Sequence, residues 1–340
     1  MQRLDRTYFS CPFPVRVSPD AQMAREADRE WQRKFGLVRT LERASQIEAW
    51  RSELLMARTY PECRGEDLIL MTNFVNFFFN LDDQFDGPLG RDPNRAREVV
   101  QPIIDIAWNS PAISRAHENP AVRGFHNLWQ RLSPPMSLDW RMRFAHLLTQ
   151  YLEMYAWESE NRRRNHVPHL QDYIEARRPT SAVGMFIILA ERAQRTETPL
   201  AIWRASEFQE MFNIAIDHVA WTNDVFALQR EESRHDVHNI ILSIQQSFSC
   251  HREEAIECCR QMVSDHITRF LDLKEHISEV CADLGLSEEE RQAVYYLIRN
   301  GMESWMSANI DWTFLTQRYK QQGDESLAEQ EDIFQNTRAR

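Results

Sequence analysis

The sequence predicts an all-α protein, and three observations carry that expectation. Glycine occurs nine times and proline fourteen times in 340 residues, against about 24 and 17 from average usage, so turn residues are too scarce for a sandwich, a barrel or a Gly-rich dinucleotide fold. All fourteen prolines lie at or before Pro199, which leaves residues 200–340 free of the strongest helix breaker. Apolar residues recur at helical spacing, and no stretch alternates at period two with turns between. A chain of this length buries a sizeable core. No linker rich in Gly, Ser or Pro divides it and no internal repeat is visible, so one helical domain over 1–320 is expected, with a loose polar tail over 321–340.

After an extended lead punctuated by Pro12, Pro14 and Pro19, the first helix is expected over 21–35, stopped by Gly36. Helices over 40–58 and 66–86 follow, the second ended by Asp86, Gly87 and Pro88. The remaining ones are expected over 94–108, 119–132, 137–164, 169–177, 181–195, 200–231, 235–249, 251–284 and 288–319. Gly87 and Gly90 read as a pliable loop directly after the acidic end of the third helix.

Forty basic against 51 acidic residues leave a formal charge of -11, which disfavours nucleic acid and anionic membranes as partners. The longest apolar run, Val183 to Ala190, falls far short of the ~20 residues that span a bilayer. The charged opening MQRLDRTYFSCPFP has no apolar stretch of signal-peptide length, so a cytoplasmic protein is expected. Cys11, Cys63, Cys250, Cys258, Cys259 and Cys281 show no CxxC spacing and read as free thiols. Only three of the 40 basic residues are lysines (Lys34, Lys274, Lys320), so nearly every cation is a guanidinium fork suited to carboxylates and phosphates.

The most informative stretch runs from Phe74 to Gly87, FVNFFFNLDDQFDG. On a helix, Phe74, Phe78, Asp82 and Asp86 stand at successive i, i+4 positions, about 5–6 Å apart on one stripe. Buried carboxylates are costly unless paired or bound to a cation, and carboxylates at a helix C-terminus oppose the macrodipole. That spacing suits magnesium, a hard ion that takes oxygen ligands and completes its shell with water and substrate phosphate. A solvated acidic helix end is the plain alternative. In the proline-free half, Asn223, Ala227 and Glu231 again share one stripe, with Asn and Glu both oxygen ligands.

Together the two stretches resemble the paired magnesium motifs of class I terpene synthases. The family's second motif has Asn-Asp, a serine four residues after the Asn, and Glu four further on; here Ala227 holds the serine position. The lead FSCPFPVRVSPD resembles the N-terminal segment of bacterial sesquiterpene synthases of the pentalenene synthase type. Tyr173 to Thr180 resembles the family's diphosphate-sensing stretch, with Arg177 at 46 residues before Asn223. Asp311-Trp312 followed by Arg318-Tyr319 resembles its Arg-Tyr pair.

The resemblance implies a single-domain helical bundle around a central active-site cavity, and a lyase that ionises a linear prenyl diphosphate and cyclises the cation. Three magnesium ions are implied. Asp82 and Asp86 are the expected direct ligands, with Asp83 either a ligand or a partner of an arginine, and Asn223 and Glu231 hold another ion. Arg177, Arg230 and Arg318 are the expected diphosphate clamps and Tyr319 a hydroxyl donor; Arg230 stands where the family usually has lysine. Ala182 stands where related enzymes often have glycine, which bears on how the backbone carbonyl there is presented.

An apolar pocket with aromatic faces is required, and Phe74, Phe78, Trp305 and Trp312 are the candidates. Trp305, Trp312 and Tyr319 repeat every seven residues on the expected last helix, and plain core packing is the alternative for each. Phe74 and Phe78 under the metal site favour a fifteen-carbon substrate, farnesyl diphosphate, and a sesquiterpene product. A monomer or homodimer with no macromolecular partner is expected. The closest rival is a chain-elongating prenyl transferase, which needs a second Asp-rich cluster where Asn223 to Glu231 stands. A di-iron bundle is a weaker one, because Glu232-x-x-His235 occurs once and such a site needs two.

Overall fold

In this computed structural model residues 5–109, 119–319 and 331–335 are described, and every regular element among them is helical. Helix α1 (Ala21–Phe35) ends where Gly36 takes the left-handed conformation at φ 73° and its N–H returns to the carbonyl of Arg33. The segment expected as one helix over 40–58 is two, α2 (Leu41–Trp50) and α3 (Ser52–Thr59), with Arg51 between them at φ 54°. At the break the Arg51 carbonyl accepts from Leu54 N at 3.0 Å, the first turn of α3. Trp312 Nε1 donates to the carbonyls of Trp50 and Arg51, at 2.9 and 3.0 Å, so a tryptophan far away in sequence completes the bend.

Helix α4 (Gly65–Phe85) carries the acidic cluster at its C-terminal end, and a 3-10 turn over Pro88–Arg91 follows. Gly90 is there for close packing rather than pliability: a Cβ on it would lie 1.7 Å from the carbonyl oxygen of Phe85. Helices α5 (Pro93–Asn109), α6 (Pro120–Leu132) and α7 (Leu138–Arg164) come next. Asn119 and Ser137 cap the last two by accepting from the backbone N–H of Val122 and Trp140. Helix α8 (Leu170–Thr180) runs on through Pro179, three residues past the expected end, and α9 (Val183–Gln194) starts beyond Ala182.

The helix expected over 200–231 is interrupted at Arg204 and Ala205, giving α10 (Leu200–Trp203) and α11 (Ser206–Ser233). Residues 234–239 form a loop with His235 at φ 54°, so α12 (Ile240–Phe248) begins later than expected; α13 (Arg252–Asp283) follows. The last expected helix is corrected most. It comprises α14 (Glu288–Leu297), a π-helical turn over Ile298–Glu303 and α15 (Ser304–Thr313). Tyr319 therefore lies beyond the helix that carries Trp305 and Trp312. The π turn is seated where Gly301 meets α9, with room for a Cβ only 3.0 Å from the carbonyl of Ile187.

Helix α5 lies along α7, α11 along α13 and α1 along α4, while α15 packs on both α3 and α11. The larger buried cluster centres on the Phe side chains of α4 and on α9; a second gathers Tyr173, Trp221, Ile240, Cys259 and Ile310. Most of the expected tail, with its boundary at Lys320, lies outside the described residues. Of the part described, Ile333 is buried, donates its N–H to Gln84 and accepts from Ala121 N at 3.1 Å. Glu331 accepts from the backbone N–H groups of Arg39 and Thr40 at the start of α2. These residues are docked on the body rather than loose. All six cysteines are free, and no helix among the described residues is long and apolar enough to cross a membrane.

Candidate active site

A cavity of about 180 Å³ opens between α3, α4, α7, α8, α9, α11 and α15. Its apolar end is walled by Leu55, Val75, Phe78, Phe186, Trp305 and Trp312. At its polar end Asp82 and Asp86 from α4 face Asn223, Ala227 and Glu231 from α11. Arg177, Arg230, Arg318 and Tyr319 line the same end, so residues from four segments distant in sequence meet there.

Two residues depart from their expected places. Phe74 is fully buried behind the wall, packed against Phe78, Phe125, Phe144 and Phe186, because on its stripe of α4 the cavity ends at Phe78, one turn short of it. Asp83 does not line the cavity. It lies beside the cavity, where Oδ2 accepts from Arg43 at 2.8 Å and Oδ1 from Arg318 at 3.0 Å, with Arg230 at 3.6 Å. Burial opposes its ionisation, but Arg318, Arg43 and Arg230 outweigh that and hold the carboxyl well below the usual range. Of the two roles left open for Asp83, this geometry is that of an arginine partner.

Asp82 is different. Its side chain is 48% exposed and its hydrogen-bond contacts among the described residues are long, with the Tyr155 hydroxyl and Arg318 Nη2 each at 3.4 Å. Asp86 accepts from Arg230 at 3.0 Å and from Arg234; burial pushes its pKa up to about 6 against the pull of Arg230. Glu231 is pushed up to about 8 by burial, reinforced by the Asp224 and Asp236 carboxylates. Its one hydrogen bond among the described residues comes from Asn239 Nδ2, at 2.7 Å on Oε2. Asn223 donates from Nδ2 to the Tyr319 hydroxyl at 2.6 Å, leaving its Oδ1 as the oxygen available to a ligand.

Arg177 is held by a carboxylate that spacing alone did not single out. Its Nε and Nη2 donate to Asp224 Oδ1 at 3.1 and 2.8 Å, and Tyr173 donates to Oδ2 at 2.6 Å. Arg43, Arg234, Arg162 and Asn239 were also missed. The signal for Arg43 was present: Asn73, Asn76, Asn80 and Asp83 form a second, polar stripe on α4. Asn73 and Asn76 donate to Asp28 at 2.8 and 2.6 Å, Asn80 donates to Gln32 at 2.9 Å, and Arg43 donates to Asn80 at 2.8 Å. Apolar scoring of the helix hides such a stripe because Phe residues fill the positions between.

The residues fit a hard cation. Asp82, Asp86, Glu231 and Asn223 all offer oxygen, and Glu231 is a half-buried carboxylate with no ion pair among the described residues. Among those residues no three carboxylate, histidine or cysteine side chains converge into a closed metal cage. That is compatible with magnesium, which is held by one or two carboxylates and finishes its shell with phosphate and water. Neither Glu232 nor His235 lines the cavity, and Glu232 is paired with Arg252, so the lone Glu-x-x-His stretch contributes nothing to it.

Residues 73–269 match the family described as terpene synthase family 2, C-terminal metal binding. Pristinol synthase of Streptomyces pristinaespiralis is 30% identical over 92% of this chain and 84% of its own length. Pentalenene synthase of Streptomyces avermitilis is 30% identical over 92% of each chain. The (-)-beta-caryophyllene synthase of Saccharothrix espanaensis, whose name specifies cyclisation of (2E,6E)-farnesyl diphosphate, is 29% identical over 92% of this chain and 89% of its own. The crystal structure of germacradien-4-ol synthase from Streptomyces citricolor superposes with a TM-score of 0.81 at 25% identity, covering 91% of this chain and 99% of that one. The family match spans more than half of the chain and includes both Asp82–Asp86 and Asn223–Glu231, and the chain therefore belongs to the terpene synthase family.

Proposed function

We propose that this synthase is magnesium-dependent, ionises farnesyl diphosphate and cyclises the resulting carbocation to a sesquiterpene with release of diphosphate. The observation that carries this reading is that Asp82 and Asp86 on one helix and Asn223 and Glu231 on another line one cavity whose other end is apolar and aromatic. The farnesyl assignment draws on the relatives that cyclise farnesyl diphosphate, and three ions on the family resemblance.

Magnesium, when bound, supplies the positive charge that draws in the diphosphate and stabilises its departure. Asp82, Asp86, Asn223 and Glu231 would hold it. Arg177, Arg230 and Arg318 supply guanidinium forks at the same end, where N–H donors stabilise the departing anion more than the bound ester. Tyr319 adds a hydroxyl there. Phe78, Trp305 and Trp312 exclude water and offer π faces, each worth about 0.5–2 kcal/mol to a desolvated cation. Phe186 and Phe79, also in the wall, join them. Ala227 brings no oxygen, so the ion at Asn223 and Glu231 would take a water in its place.

The test is incubation with magnesium and geranyl, farnesyl or geranylgeranyl diphosphate separately, with mass analysis of the extract. A cyclic fifteen-carbon hydrocarbon or alcohol from farnesyl diphosphate is expected. Diphosphate release without a terpene from any of the three rejects the reading.

A further inference from the structure

The loop joining α11 to α12 ends in a side chain whose every hydrogen-bonding group is in use. Asn239 is fully buried and caps α12, its Oδ1 accepting from Ile241 N at 2.8 Å. Its Nδ2 donates to Glu231 Oε2 at 2.7 Å and to the backbone carbonyl of Asp224 at 2.8 Å. An amide has two N–H bonds, and both are spent here. Rotating it by half a turn would set Oδ1 against a carboxylate and a carbonyl, acceptor against acceptor, so its orientation is fixed.

The rest of the loop holds the asparagine in place. Asp236 accepts from Arg162 at 3.1 and 3.3 Å, from the backbone N–H of Val237 and His238, and from His238 Nδ1 at 2.9 Å. Next to Asn239, the backbone N–H of Ile240 donates to Asp224 Oδ2 at 3.1 Å, on the carboxylate that also takes Arg177.

We infer that Asn239 is a positioning residue for the second metal motif: it turns Oε2 of Glu231 toward the protein, leaves Oε1 for the cation, and registers Glu231 against the Arg177–Asp224 pair. This rests on the function proposed above. Capping alone does not require asparagine, since serine or aspartate caps a helix as well. Of these only an amide accepts from Ile241 N while donating to both Glu231 and the Asp224 carbonyl, since a serine has one proton to donate and an aspartate none.

Those two roles separate in an experiment on the full chain without substrate. Magnesium is titrated calorimetrically in the presence of inorganic diphosphate, and thermal unfolding of the metal-free protein is followed in parallel. Asn239→Asp keeps a capping oxygen and has no proton to donate, and Asn239→Ser keeps one with a single O–H for the two acceptors that Nδ2 serves. Each is expected to keep a cooperative transition and to bind magnesium about 10–100-fold more weakly, as loss of an outer partner of a metal ligand does. Asp is expected to be the weaker of the two, because it sets a second carboxylate against Glu231. In a Glu231→Gln background, Asn239→Ser is expected to add no further loss.

Wild-type magnesium affinity in Asn239→Asp, an additive loss in the double variant, or failure of both single variants to fold would each overturn the inference and leave Asn239 a structural cap. A wild-type protein that binds no magnesium with diphosphate would instead reject the functional reading beneath it.

Discussion

The side-chain amide of Asn223 donates a 2.6 Å hydrogen bond to the hydroxyl of Tyr319, joining two residues 96 positions apart. The contact couples the second metal motif to the segment that follows the last helix. With Nδ2 engaged, Asn223 presents its oxygen. Tyr319→Phe removes the acceptor and frees the amide to turn. Loss of a hydrogen bond worth about 1 kcal/mol is about a fivefold change in an equilibrium. The magnesium concentration for half-maximal rate is therefore expected to rise about fivefold with the fold intact, and a variant with the wild-type requirement would show that the bond is incidental.

Asp82 and Asp83 are adjacent and should fail in opposite ways. Asp82 is half exposed with long contacts among the described residues, so Asp82→Ala is expected to abolish turnover while the melting temperature stays within a few degrees. Asp83 is buried between Arg43 and Arg318. Asp83→Ala leaves those guanidinium groups uncompensated and is expected to cost about 3–5 kcal/mol in denaturant unfolding. Equal melting temperatures for the two variants would contradict this assignment.

Ala227 is buried in the cavity wall between Asn223 and Glu231. Ala227→Ser places a hydroxyl oxygen on the same stripe. Rate against magnesium concentration is the measurement, and a lower half-saturation is expected; an unchanged or higher value would mean that a water serves the ion as well as serine does.

His218 is fully buried beside the Ser10 carbonyl, and burial holds its pKa down to about 4. The unfolded chain, with histidine near its ordinary value of about 6.5, binds more protons than the folded one between these limits. Its contribution to stability is thus complete above about pH 6.5 and is lost as pH falls toward 4. The slope is up to about 1.4 kcal/mol per pH unit. Denaturant unfolding at several pH values should show a shallower dependence in His218→Gln than in wild type. Parallel curves would exclude His218 as the group responsible.

Much of this enzyme is legible in one dimension. Scarce glycine, prolines confined to the first 199 residues and apolar spacing determined an all-helical chain, because helix formation is governed by local propensity and periodicity. The i, i+4 placing of Asp82 with Asp86 and of Asn223 with Glu231 determined that each pair shares a face, because one helical turn is enough to align them. Long-range geometry decided the rest. Trp312 reaches the carbonyls at the bend after α2, and Asp83 faces arginines because Arg43 of α2, Arg230 of α11 and Arg318 after α15 converge on it. Phe74 is core while Phe78 is cavity wall, though both lie on the stripe of Asp82, since only packing sets where a cavity ends along a helix. The pairing of Asn223 with Tyr319 and of Asn239 with Glu231 rests on the path of loops whose residues carry no periodic signal. Such contacts arise only when distant segments are brought together to bury the same polar atoms, a condition that spacing along the chain does not encode.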